Sequence, residues 1–413
     1  MIEENAMNKE QRKEYARLIA QVGANVQPGQ EVILYAGLDQ PEFVTEVAAA
    51  CYDAGAKKVR VEGSYDPLQV LHAQRQDQSV LETVEDWEKA KLQHMVDTLP
   101  CRIVLESSDP DGLREVPQPK YTQAMTARTR VTKPYRDAID NRHQWCIAAV
   151  PGVAWAEKVF PDLKGEAAVE KLWEAILFTS RAETDPVAAW QAHDRDLKAR
   201  CAVLNGKNLC ALHYQASNGT DLRVGLIPDA DCLGGSEATL SGTVFQPNIP
   251  SEEVFTTPKR GEAEGLVVST KPLSFQGQLI ENFSLRFENG RVVEAHAGKN
   301  EEALKLMLAM DEGASMLGEC ALVPYKSPIR ESGILFYNTL FDENASCHLA
   351  LGMGYSSCLK DFDRYSPEEA RALGVNDSMI HEDFMIGAPD LSITGITEDG
   401  QTVEIFKNGD WAV

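Results

Sequence analysis

Between Asn338 and Tyr355 the chain gathers two carboxylates, Asp342 and Glu343, an imidazole, His348, and a phenol, Tyr355. Ala345, Ser346, Gly352 and Gly354 lie among them. Side chains this small let the backbone come close to whatever the polar groups hold. A second cluster, Ile380-His381-Glu382-Asp383-Phe384, follows downstream. In an extended segment alternate residues share a face, so His381 and Asp383 point one way and Ile380, Glu382 and Phe384 the other. Imidazole and carboxylate offered together from one short strand are what a divalent cation needs.

Further carboxylates are candidates for the same chemistry. Glu319 opens an apolar run, Leu317 to Val323, that reads as a strand. Burying a charge there costs several kcal/mol unless a cation offsets it; the alternative is a strand-end residue facing water. Glu252 and Glu253 follow Pro250-Ser251, which reads as an acidic first turn after a helix start. Adjacent side chains diverge, so only one of the two can serve a site. His72, His94, His143, His193, His213 and His296 have no acids and small residues around them of the kind that flank His348 and His381, and are expected to be surface or satisfied core groups. Cys347 beside His348 is expected to be a structural thiol, since sequence neighbours point apart.

These groups need a frame. At 413 residues the chain exceeds the size of a single core. Strand-like runs at Glu31 to Ala36, Lys58 to Glu62, Cys101 to Glu106 and Trp145 to Val150 alternate with helical patterns at Glu10 to Ala24 and Pro41 to Ala54 and with further helical and polar stretches. Such alternation predicts a partly parallel sheet covered by helices. Helical patterns at Gly165 to Thr179 and Asp185 to Leu204 form a transition. Short alternating segments then follow at Asn208 to Tyr214, Asp221 to Ile227, Gly265 to Thr270, Phe283 to Phe287 and Arg291 to Ala295, interrupted by one helix at Glu301 to Met310. Asn289-Gly290, Asp399-Gly400 and Asn408-Gly409 are hairpin signals in which both residues favour positive φ. The fold class read from this is an α/β N-terminal domain over residues 1–200 and an α+β C-terminal domain, rich in antiparallel strands, over 201–413.

Composition excludes several functions. A formal charge of −23 argues against nucleic acid as a partner. No apolar run is long enough to span a bilayer, and the N-terminus Met1-Ile2-Glu3-Glu4-Asn5 lacks a hydrophobic signal core, so a cytoplasmic location is expected. Nine scattered cysteines, never spaced Cys-x-x-Cys, suggest reduced thiols. No Gly-x-Gly-x-x-Gly turn follows a strand, so nucleotide binding has no support.

Five segments in register, Asn248 to Arg260, Leu317 to Val323, Asn338 to Tyr355, Asn376 to Gly387 and Ile405 to Trp411, resemble the thermophilic metalloaminopeptidase family. The resemblance runs along essentially the whole chain and is weaker in the first half. It implies a two-domain protomer, dimeric, with a pair of divalent ions (Zn, Co or Mn) in the C-terminal domain. The family's ligands fall on Glu253, Glu319, His348, His381 and Asp383, with Glu343 as an addition, and its active-site tyrosine on Tyr355. The chain departs from the pattern after His348, with Gly354 before the tyrosine and Ser356 after it where the family has Ala and often Pro.

The implied activity is removal of N-terminal residues from peptides with a free α-amine. Four carboxylates would balance two dications, Glu319 or Asp383 would bridge them, and Tyr355 would stabilise the oxyanion. Glu253 is a candidate proton shuttle. Two other classes compete: a mononuclear iron oxygenase using His348, His381 and Asp383, and a non-catalytic peptide binder. The iron site needs neither Glu253 nor Glu319, and a binder has no need to keep all seven positions.

Overall fold

The computed structural model describes residues 2–276 and 278–413. Contacts divide the chain into two compact units, Met1–His193 with Ser236–Ser251, and Asp194–Gly235 with Glu252–Val413.

The first unit is built on strands β1 (Glu31–Gly37), β2 (Lys58–Ser64), β3 (Cys101–Glu106), β4 (Trp145–Ala149) and β5 (Asn248–Ile249). They form one sheet in the order β2-β1-β3-β4-β5, every neighbouring pair parallel. Parallel strands covered on both faces need apolar residues on both, and in β1 Val32, Ile33 and Leu34 are all fully buried. The helix Pro41–Asp53 starts on its proline, and Gly55, at φ 98°, turns the chain out of it. The pattern over Glu10 to Ala24 predicts one regular helix. The structure instead ends the helix Ile2–Leu18 in a wider turn, Ile19–Gly23, in which Ala24 N–H donates to Ile19 O at 2.7 Å. Gly23 there approaches Cys146 so closely that a Cβ would stand 2.6 Å from its Sγ. The polar stretches between β2 and β4 fold into helices that the sequence marks only faintly. Asp86–Thr98 fully buries Met95 alone, and Gln118–Ile139 only Ala124 and Ile139, so neither carries a broad apolar stripe.

The second unit holds a nine-stranded sheet, with antiparallel pairing throughout its ladder, and a four-stranded one. The expected segment at Phe283 to Phe287 is part of a longer strand, Gln278–Glu288, and the one at Gly265 to Thr270 overlaps the end of Pro258–Val268, which stops before Ser269. Asn289 (48°) with Gly290 (76°) and Asn408 (51°) with Gly409 (74°) take positive φ at both turn positions. At Asp399-Gly400 only the glycine does, at 80°. There Gly400 N–H donates to Thr397 O and Asp399 accepts from Thr397 Oγ1, so the loop is longer than two residues and the aspartate stays in an ordinary conformation. The four-stranded sheet is β6 (Val254–Thr256), β7 (Leu317–Leu322), β8 (His348–Gly352) and β9 (His381–Met385), in that order and antiparallel.

Candidate metal centre

Strand register brings the candidate ligands together. Glu319 in β7 pairs with Ala350 in β8, and Ala350 pairs with Asp383 in β9. Glu319 and Asp383 therefore flank one small residue on one face of the sheet. His348 and His381 share that face by the same pairing, opposite Met385 and Gly352. The intervening residues Cys320, Leu349, Leu351 and Phe384 belong to the main core of the unit. One face of the sheet thus packs and the other carries chemistry. Gly352 ends β8 at φ 103°, where a Cβ would stand 2.1 Å from Ile380 O, so no larger residue fits.

Two neighbours complete the set. Glu253 immediately precedes β6 and is buried, with Oε2 3.0 Å from His348 Nε2. This overturns the expected helix start at Pro250-Ser251, because residues 251–253 are irregular and lead into a strand. Glu343 ends the short buried helix Thr339–Glu343. Asn344 ties the two segments, accepting Glu252 N–H at 2.7 Å and donating to Leu340 O at 2.9 Å. Glu319 is 3 % exposed, so the water-facing alternative for it does not hold.

The imidazoles are oriented for ligation. His348 Nδ1 lies 2.9 Å from Glu343 O and His381 Nδ1 2.7 Å from Met353 O. A carbonyl only accepts, so each Nδ1 carries the proton and each Nε2 presents its lone pair. Those lone pairs face carboxylate oxygens: Glu253 at 3.0 Å from His348, and Glu319 at 3.1 Å and Asp383 at 3.5 Å from His381. Asp383 Oδ1 is buried and accepts no hydrogen bond. Lone pairs set against lone pairs in a buried site call for positive charge between them. Protons supply it when no metal does. Burial disfavours a charged His348, yet the hydrogen bond and charge of Glu253 outweigh it and hold that imidazole up at about 10. Burial pushes the Glu343 carboxyl well up, and Asp383 and Glu253 add to the shift. Among the described residues two groups, Glu253 with Glu319 and His348, and Glu319 with His381 and Asp383, can each bring their ligand atoms within 4.8 Å of one another. Oxygen and nitrogen donors in these numbers fit a borderline divalent ion.

The match to the family description "Thermophilic metalloprotease (M29)" spans residues 8–411. The chain belongs to that family. It is thus a peptide-bond hydrolase of the metalloprotease class. The aminopeptidase AmpS of Bacillus subtilis (strain 168) is 42 % identical over 400 residues, covering 96 % of this chain and 97 % of that one. The structure of wild-type AmpT from Thermus thermophilus superposes with a TM-score of 0.88 at 37 % identity, over 98 % of this chain and all of that one. A dioxygenase from Pseudomonas putida KT2440 is similar in fold alone, with a TM-score of 0.52 at 13 % identity over 98 % of this chain and 97 % of that one.

For a metalloprotease, the remaining residues sort by what they touch. Tyr355 stacks edge-on against Phe255 and places Oη 3.0 Å from His381 Nε2. Burial first, and then Glu319 and Asp383, push its hydroxyl well above the ordinary range. Asp342, adjacent to Glu343, turns elsewhere: it accepts N–H from Phe336 at 3.0 Å and Asn338 at 3.1 Å and lies 3.7 Å from Lys271 Nζ. The other histidines form no ligand group among the described residues; His94 pairs with Glu31 and His213 with Asp221. All nine cysteines are free. Residues that sequence reading passed over are the supports. Besides Asn344, Asn376 donates to Gly352 O at 2.6 Å, and Thr257 to Gly318 O at 3.0 Å, pinning the ends of β8 and β7. Buried amides inside otherwise acidic or apolar motifs were the available signal.

Proposed function

We propose that this chain is an aminopeptidase that holds two divalent ions in the 252–413 region and hydrolyses the first peptide bond of substrates with a free N-terminus. The observation that carries the reading is the position of Glu319, common to both ligand groups. A carboxylate has two oxygens and can serve two cations at once. Glu253 and His348 would complete one site, His381 and Asp383 the other, with Glu343 as a further carboxylate ligand. Zinc, cobalt and manganese all suit the donors. When bound, the ions supply Lewis-acid polarisation of the scissile carbonyl and an acidified water.

The chain's own residues supply the rest. Backbone carbonyls lock both imidazoles in the ligating tautomer. Tyr355 O–H stands at the edge of the His381 group, where it can donate to an oxyanion. Glu253, 3.0 Å from His348, is the carboxylate proposed to pass a proton to the leaving amine. More carboxylates converge here than one iron with two histidines requires, which favours the two-ion hydrolase over an oxygenase. The proposal includes a homodimer located in the cytoplasm.

The test is hydrolysis of leucyl and arginyl anilides by metal-stripped protein, with and without added Co²⁺, Zn²⁺ or Mn²⁺, beside N-acetylated controls. Cleavage restored by metal and abolished by acetylation is expected. Cleavage of the acetylated substrates at an equal rate would overturn the free-amine requirement. Two bound equivalents without cleavage would make the chain a binder.

A further inference from the structure

A second concentration of charge lies in the first unit, remote in sequence from every candidate ligand. Tyr35 of β1 and Arg102 of β3, with the helices Asp86–Thr98 and Gln118–Ile139, line a cavity of about 340 Å³. That is the size of a small-molecule pocket. Four cations line it, Lys91, Arg102, Arg128 and Arg136, against one carboxylate, Glu88. In a chain of formal charge −23 such a surplus runs counter to the whole. Its aromatic residues are Tyr35, Trp87 and Tyr135, and Ile33, Met95 and Ile139 form a buried apolar cluster beside it.

The cations are not all matched. Arg128 is held by Glu88 and the Thr83 carbonyl, and Lys91 by Glu62 at 2.8 Å. Arg102 instead lies over the Tyr35 ring, Cζ 5.4 Å from its centroid, and its buried Nε has no acceptor. Buried cationic N–H groups without acceptors are costly, and an anionic oxygen is the partner they fit best.

We propose that this cavity binds a small aromatic anion, a planar ring bearing a phosphate or a carboxylate. Arg102 and Arg136 receive the anionic oxygens, and the ring lies against Trp87 and Tyr135. The site uses none of the metal-centre residues and does not depend on the aminopeptidase reading.

Trp87 is 68 % exposed and reports occupancy by fluorescence. The full-length protein, metal-loaded and metal-stripped, is titrated by calorimetry and fluorescence with phenyl phosphate, benzoate, benzyl alcohol and inorganic phosphate. At least one ring-bearing anion is expected to bind about tenfold or more tighter than benzyl alcohol and inorganic phosphate, since each of those lacks one half of the contacts. Which of the two binds tighter separates a phosphate ligand from a carboxylate. Binding persists without metal, Trp87→Phe removes the fluorescence change but not the heat, and Arg102→Met and Arg136→Gln each weaken binding several-fold. Arg136 is exposed, so its variant tests the site even if Arg102→Met fails to fold. The proposal is overturned if neither ring-bearing anion binds saturably up to about 10 mM, if binding vanishes with the metal, or if Arg136→Gln leaves it unchanged.

Discussion

Tyr355 Oη stands 3.0 Å from His381 Nε2, the same nitrogen that faces Glu319 and Asp383. The His381 Nδ1 proton is committed to Met353 O, so Nε2 is the nitrogen that meets a cation or, without one, a proton facing Glu319 and Asp383. A cation bound at Nε2 would leave the Tyr355 O–H for substrate. Tyr355→Phe is therefore expected to cut kcat by about 10²–10³ with little change in KM. Bound metal, measured by elemental analysis, should not fall, since the phenol belongs to neither ligand group. A loss of metal would make Tyr355 a ligand.

Glu319 is common to both ligand groups, so its loss should affect both of the proposed ions. Glu319→Gln keeps the shape but removes the charge. Metal content is expected to drop by more than one equivalent and activity to be lost with it. A variant retaining one tight equivalent and full activity would show that Glu319 is not shared.

Asp342 holds the approach to Glu343. It satisfies the backbone N–H groups of Phe336 and Asn338 and faces Lys271, whose side chain is 17 % exposed. Asp342→Ala strands both the amides and the ammonium, a change worth about 3 kcal/mol of stability by urea denaturation. The double variant with Lys271→Met should recover part of that loss, because the uncompensated cation is gone. Equal losses in the single and double variants would show the pair is uncoupled.

His143 makes stability depend on mild acid. Burial holds its imidazole below the ordinary 6.5, and the charge of Arg102 acts in the same direction, against the hydrogen bond to Ile139 O. Nδ1 lies 3.0 Å from Ile139 O, while the buried Nε2 has no partner to take a second proton's bond. The unfolded chain takes up a proton near pH 6.5 and the folded chain only at lower pH. Stability is thus fully present above 6.5 and declines as pH falls below it. His143→Gln is expected to flatten the difference between melts at pH 7.5 and pH 5.5, taken on about the same metal load. An unchanged slope would place the sensitivity elsewhere.

How much of this was legible in the sequence follows from the range of each interaction. That His381 and Asp383 share a face needs only the alternation of a strand, and that Asn289-Gly290 turns a hairpin needs only two residues. An apolar run placed β1, because a strand buried on both sides must be apolar on both, whereas the edge strand β2, which buries no residue, was legible from its alternation. The helices Asp86–Thr98 and Gln118–Ile139 were faint because almost nothing on them is fully buried. They pack with polar and long side chains, which leave no period.

Local sequence determined the kinds of ligand and their neighbours along the chain: two histidines amid acids, a strand carrying a carboxylate, a tyrosine after glycines. It could not choose between adjacent acids. Asp342 and Glu343 are one residue apart, yet one pairs with Lys271 and the other with the acid cluster, since neighbouring side chains on a helical turn diverge by about 100°. Pro250-Ser251-Glu252-Glu253 has the look of a helix start, but these residues lead into β6, whose partner β7 begins more than sixty residues later. Only pairing across that distance sets Glu319 opposite Ala350 and Ala350 opposite Asp383. A one-residue slip in either ladder would turn the carboxylates into the core and the core residues toward the site. The sequence alone therefore determined which chemistry was available, and the register of β7, β8 and β9 decided where it converges, because register is a property of strands meeting in space.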